Sequence, residues 1–224
     1  MVQIYMIGTH HKDKNGAARL KRKLEEIAPE TILLEGQGIT EQTRIESVTH
    51  IQRELELEKI DERVKSLFLE QQKYVNYEWK IAESYASQRK ITLVFQNDEI
   101  IYPSDLKAEA REIAQNLNKR KYMKLKHDLE ERQKEINGGW EDLKRIINTP
   151  LEMIEANSIV NSSQRGLGPR DAIMEQTLRN YIQLNPEKKI VTINGYSHLL
   201  WDVHKRTLYS RIIDLNPQRI FLWD

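Results

Sequence analysis

Short apolar runs alternate along this chain with longer stretches of helical periodicity. Ile4-Tyr5-Met6-Ile7, Thr31-Ile32-Leu33-Leu34, Ile91-Thr92-Leu93-Val94-Phe95 and Ile190-Val191-Thr192-Ile193 are all of strand type. Runs this continuous suit strands covered on both faces, as in a parallel sheet. A last strand is predicted from Arg219 to Trp223. Between the first two runs, Ala17, Leu20, Leu24 and Ile27 recur at three- and four-residue steps, and Pro29 ends the segment. Strand, helix and strand within about 30 residues form a βαβ unit, which predicts a parallel pair with a right-handed crossover.

From residue 39 to residue 90 the chain turns charged and helical. Ile45, Val48, Ile51 and Leu55 mark one periodic stretch; Val64, Leu67, Phe68, Val75 and Tyr85, with Trp79 nearby, mark a second. Neither sustains a heptad, so helical hairpins are expected in place of a coiled coil. After the third strand, Ser104 is a candidate cap for a helix whose apolar face runs through Ala110, Ile113, Leu117, Leu125 and Leu129. Asn137-Gly138-Gly139 predicts a break, followed by a short helix from Trp140 to Ile147. Residues 157–169 read as a glycine- and serine-bearing loop that feeds a helix from Arg170, with Met174, Leu178, Tyr181 and Ile182 on one face. A further helix is expected from about Leu199. The pattern as a whole predicts an α/β fold: a mainly parallel central sheet flanked by helices, as one domain over residues 1–224. Helical insertions at 39–90 and 104–169 separate the N-terminal from the C-terminal sheet segments. They offer a lid, a partner surface or a face for self-association.

Composition narrows the function classes. Lys plus Arg number 35 against 34 for Asp plus Glu, a net charge of +1, so no bias toward nucleic acid is present. The chain has no cysteine, which removes disulfides, thiolate metal sites and cysteine nucleophiles. No apolar run approaches the roughly 20 residues that span a bilayer, and no secretory leader is readable. A cytoplasmic protein without a membrane span is the expectation.

Candidate chemistry gathers at strand ends. Gly8-Thr9-His10-His11 follows the first run and Asn194-Gly195-Tyr196-Ser197-His198 follows the fourth, each with a histidine three residues after a glycine. Ligands of open α/β sheets bind outside the carboxyl ends of the strands. Glu35 and the pair Asn97-Asp98 end the second and third strands at the same expected edge. Two imidazoles with one or two carboxylates suit a divalent metal, with His11, Glu35 and His198 as ligands. Such an ion would acidify water and polarise a carbonyl; without it, a His–Glu pair still supports acid–base chemistry. The blander alternative is that both turns merely close loops and their histidines satisfy backbone carbonyls. His10 is expected to face away from His11, because neighbouring strand-like residues point oppositely. Arg170-Asp171 opens a helix, where Asp171 suits a capping role and Arg170 an anion clamp. Ser197 lacks the G-x-S-x-G elbow of a serine nucleophile, and no phosphate-cradling glycine motif is present.

These pieces, in this order, resemble the TraB/PrgY family: Gly8-Thr9-His10-His11, Leu34-Glu35, Pro169-Arg170-Asp171 with Met174, and Asn194-Gly195-Tyr196-Ser197-His198-Leu199. That family belongs to a broader erythromycin-esterase-like, ChaN-like, Tiki and GumN group, and the resemblance covers mainly residues 1–38, 91–100 and 165–224. It implies an α/β sheet with helical insertions and a polar cleft lined by His11, Glu35, Arg170, Asp171 and His198. Gly8, Asp98 and Gly195 complete the ligand-binding set. Gln96-Asn97-Asp98 departs from the acid-Arg-acid pattern usual at the third strand's end. Within the group, Tiki-like members are similar to metal-dependent peptidases, erythromycin-esterase-like members are hydrolases, and ChaN-like members bind haem. TraB/PrgY members are associated with shutting down peptide pheromone signalling. Two readings follow. One is a metal-dependent hydrolase of a small molecule or peptide, with Glu35, Arg170 and His198 as catalytic groups. The other is a non-catalytic protein that keeps the cleft for a ligand or peptide.

Overall fold

A computed structural model of the chain describes residues 2–37, 41–72, 74, 77–97, 103–151, 167–186 and 188–223. Five strands form one parallel sheet: β1 (Gln3–Thr9), β2 (Thr31–Gln37), β3 (Thr92–Asn97), β4 (Lys189–Gly195) and β5 (Gln218–Phe221). Their order is β3-β2-β4-β1-β5. The expected α/β architecture is therefore present. The β1–β2 unit, however, is not an adjacent pair, because β4 lies between its two strands. The burial of β4 explains the placement. From Ile190 to Gly195 every residue is buried, and a strand without a polar face is most stable with a neighbour on each side.

The order has a consequence for function. The connection from β2 leads outward to β3, whereas the connection from β4 leads the other way, past β1 to β5. Such a divergence opens a crevice between the carboxyl ends of the two strands. Glu35 stands at one lip of it and Gly195 at the other.

Eight helices accompany the sheet among the described residues. α1 (Gly16–Ile27) follows β1; α2 (Glu41–Leu57), α3 (Glu62–Gln72) and α4 (Tyr77–Arg89) separate β2 from β3. α5 (Pro103–Asn118) and α6 (Tyr122–Ile146) follow β3, α7 (Pro169–Leu184) precedes β4, and the single turn α8 (Leu208–Arg211) precedes β5. Leu20 and Leu24 of α1, Tyr77 and Ala82 of α4, and Met174 and Leu178 of α7 close over the sheet's Ile4, Met6, Ile32, Leu33, Val191 and Ile193 in the main core. The insertions carry a small core of their own, in which Leu55, Val64, Phe68, Ala114, Leu117 and Leu125 meet.

Three local expectations are corrected. α6 runs unbroken for 25 residues through Gly138-Gly139. Two helical glycines cost roughly 1 kcal/mol each, but Ile136, Trp140 and Leu143 bury against the main core while Leu125 anchors in the satellite one. That packing at both ends outweighs the propensity. Ser104 lies inside the first turn of α5, which begins at Pro103, instead of preceding it. Pro is favoured at that first helical position because it has no N–H to leave unpaired. The region after Leu199 is not a long helix: a 3-10 turn over Tyr196–Leu199 leads into a loop and then the four residues of α8. No helix among the described residues is long and apolar enough to cross a membrane.

Candidate functional site

One glycine controls how the first histidine turn is held. A Cβ on Gly16 would lie 2.2 Å from the Cζ of Tyr77, so only a glycine lets the start of α1 seat against that ring. Tyr77 is 1% exposed, and its hydroxyl donates to the carbonyl of His10 at 3.4 Å. The same turn is fastened by Asp13, which accepts from Asn15 N, Arg19 Nη1 and Trp140 Nε1. Docking Tyr77 places the next residue of α4, Glu78, beside His11. Glu78 Oε1 lies 2.8 Å from His11 Nδ1.

His10 and His11 part company, as their alternation predicts. His10 stacks on Tyr196, with ring centroids 5.5 Å apart, and meets Trp140 edge-on. The His11 side chain is 63% exposed and faces the crevice. An ionised Glu78 can only accept, so neutral His11 carries its proton on Nδ1 and presents the lone pair of Nε2. No described residue partners that nitrogen. The hydrogen bond to Glu78 raises the His11 pKa; burial opposes it, and the charges of Glu78 and Glu35 add to the rise.

Glu35, by contrast, is saturated. Its Oε1 accepts from Arg170 Nη2 at 2.6 Å and from His198 Nε2 at 3.1 Å, and its Oε2 accepts from Gly195 N. Burial pushes the carboxyl up, but His198, the Gly195 N–H and the charge of His11 prevail and hold it at about 2. His198 is 6% exposed and clasped from both sides, with Nδ1 at 2.8 Å from Asp171 Oδ1. Burial lowers its pKa, yet the two carboxylates outweigh burial and lift it to about 9. Asp171, fully buried, also accepts from the backbone N–H groups of Gly168 and Leu208. It therefore caps α7 and orients His198 at once. The capping role read from the sequence for Asp171 is joined by a second one, toward His198, that the sequence did not show.

Gly195 is where these side chains converge. Its backbone is ordinary, with φ −53° and ψ 139°, so conformation does not require a glycine. Space does. A Cβ there would come 3.3 Å from His11 Nε2, 3.5 Å from Glu35 Oε2 and 3.7 Å from His198 Cδ2. The two glycine-histidine turns and the β2 carboxylate thus share one crevice. With Thr9, Trp79, Phe95, Leu106, Glu109 and Arg170 among its walls, they enclose a cavity of about 390 Å³.

Gly8 is placed elsewhere, since a Cβ on it would meet Phe221 at 2.9 Å and Leu199 at 3.1 Å. Its role is close packing inside the sheet. Asp98 lies outside the described residues. The end of β3 reaches the site instead through Gln96, whose Oε1 accepts from Asn194 Nδ2 at 2.9 Å.

A three-ligand metal set of His11, Glu35 and His198 does not fit this arrangement. A metal-binding imidazole must offer a lone pair, and both His198 nitrogens instead face carboxylate oxygens. Among the described residues no group of three His, Cys, Asp or Glu side chains is disposed to hold an ion. Sequence reasoning missed Glu78. Its signal was present: Glu78 shares a helix face with buried Ala82 and Tyr85, which makes it an acid in an apolar stripe.

The His198 clamp predicts a pH dependence of stability. Its folded pKa of about 9 exceeds the ordinary 6.5, so the contribution is fully present below pH 6.5 and is lost as pH rises through 9. Glu35 acts at the other end, stabilising above its ordinary 4.5 and losing that effect as pH falls toward 2. Urea unfolding should show stability falling by about 2–3 kcal/mol between pH 6.5 and 9 from this one group. His198→Gln should flatten that limb. An unchanged limb in the variant would assign the loss to other groups.

Comparison of the chain with protein-family models, with curated proteins and with solved structures returned no match.

Proposed function

We propose that the crevice hydrolyses a carbonyl substrate, an ester or amide, with His11 as general base. The observation that carries this reading is the His11–Glu78 pair, which fixes one ring nitrogen and leaves the other facing the cavity. A base held by a carboxylate and open on its far side is the recurrent arrangement for activating a nucleophile. His11 Nε2 takes a proton from water as the oxygen adds to the carbonyl carbon. The N–H groups of Arg170 not directed at Glu35 stabilise the developing oxyanion. The protonated His11 then returns the proton to the departing alkoxide or amine, so that acid and alcohol or amine leave and the base is regenerated. Glu35 is a poor base at a pKa of about 2. Its role is to hold Arg170 and His198 in place, and no step runs through a metal ion. The sequence resemblance supports the same class, since the group it points to includes hydrolases.

A panel of neutral p-nitrophenyl esters and peptidyl p-nitroanilides tests this. Hydrolysis should survive exhaustive chelation and should rise with pH through one ionisation above the ordinary imidazole value of 6.5, because only neutral His11 is active and Glu78 raises its pKa. Glu78→Gln removes that carboxylate, so the limb should move to lower pH while the plateau falls by roughly 10–100-fold. A limb that stays in place in the variant would exclude His11 as the base.

A further inference from the structure

The charges around the crevice are unbalanced in one direction, and this bears on what it accepts. Arg170 is the sole Lys or Arg among the described lining residues. Glu35 holds it at 2.6 Å and stays ionised, so the pair has no net charge with which to anchor a substrate anion, although its remaining N–H groups are still donors for the oxyanion. His198 and Asp171 offset one another behind that pair. What remains facing the cavity is His11, Glu78 and Glu109. The sum is negative whether His11 is neutral, as catalysis requires, or protonated. Glu109 is exposed on α5 and has no described ion-pair partner, so its charge stands at the rim unspent. The opposite character lies deeper. Leu34, Trp79, Phe95, Leu106 and Ile193 give the cavity an apolar wall, and Leu34, Leu106 and Ile193 are almost completely buried.

We infer that the crevice selects substrates joining an apolar or aryl group to a positively charged amine, with Glu109 as the selecting carboxylate. The apolar part displaces water from the wall contributed by β2, β3 and α5, and the ammonium is held at the rim by Glu109. Carboxylate- or phosphate-bearing compounds of the same size are rejected. They would meet the carboxylates of Glu78 and Glu109 while the one guanidinium is already neutralised. The inference rests on the proposed site but not on its turnover.

Equilibrium binding therefore provides the test. Quenching of tryptophan fluorescence would be followed with 4-phenylbutylamine, 4-phenylbutyrate and the neutral 4-phenylbutanamide. Trp79→Phe identifies the signal arising in the crevice. The amine is expected to bind at least tenfold more tightly than the carboxylate, with the amide between them. Glu109→Gln should remove most of the amine's advantage over the amide. 4-Phenylbutyrate binding as tightly as the amine, or an amine preference untouched by Glu109→Gln, would overturn the inference. Binding in this order without hydrolysis of any ester would leave the selectivity standing and count against the catalytic reading instead. Failure of all three ligands to bind would refute the selectivity directly.

Discussion

Replacing Asp171 with alanine is expected to lower the free energy of unfolding by about 3–5 kcal/mol, the cost of breaking a buried ion pair from one side. The carboxylate is fully buried and serves three donors: the His198 ring, the Gly168 N–H at the start of α7 and the Leu208 N–H at the start of α8. Its removal strands an imidazolium that is itself 6% exposed. His198 would then either keep its charge against Glu35 alone or lose it and surrender that contact too. Urea unfolding of wild type and variant at pH 6.5 measures the difference. The double variant Asp171→Ala/His198→Phe should be more stable than the sum of the single losses, since it leaves no unpaired cation. A loss below about 1 kcal/mol would mean that water enters and solvates His198, and that the clamp is not structural.

Substituting His11 by alanine should have the opposite profile. Its side chain is 63% exposed while its partner Glu78 is buried, so the cost is that of leaving one carboxylate without its donor, about 1–3 kcal/mol, and the fold should be retained. Hydrolysis of any substrate the protein accepts should fall by roughly 10²–10⁴-fold in kcat, the usual contribution of a general base. Steady-state kinetics beside a thermal melt separates the two effects. A variant that stays folded and hydrolyses at the wild-type rate would eliminate His11 from the chemistry. The contrast between the histidines is the informative result: on the proposed mechanism one reacts, whereas the other holds the lips of the crevice together.

Much of the fold could be read along the chain, and for an identifiable reason. β1, β2 and β4 were visible as apolar runs because a strand buried on both faces cannot conceal its composition, and the half-buried edge strand β3 carries a run of the same kind. Helices such as α1 showed themselves through the spacing of Leu20 and Leu24. The errors fell where tertiary packing overrides local preference. Gly138-Gly139 breaks an isolated helix, but α6 is held by two cores at once. The loop after Leu199 is tied by Asp202 and Thr207 instead of propagating as a helix.

For the crevice, the sequence by itself determined the cast: His11, Glu35, Arg170, Asp171, Gly195 and His198 are all polar or small residues at strand ends and at a helix start. Only the tertiary structure decided their parts. Inserting β4 between β1 and β2 set Gly195 against Thr9 and beside the end of β2. That placed Glu35 on His198 and tied up the nitrogen that a metal would have needed. Gly16 let Tyr77 dock, and so delivered Glu78 to His11 from a helix whose one signal was an acid in an apolar stripe. Residue types record what a site can do chemically. Which lone pair stays free depends on contacts between segments far apart in the chain, and local spacing does not encode those.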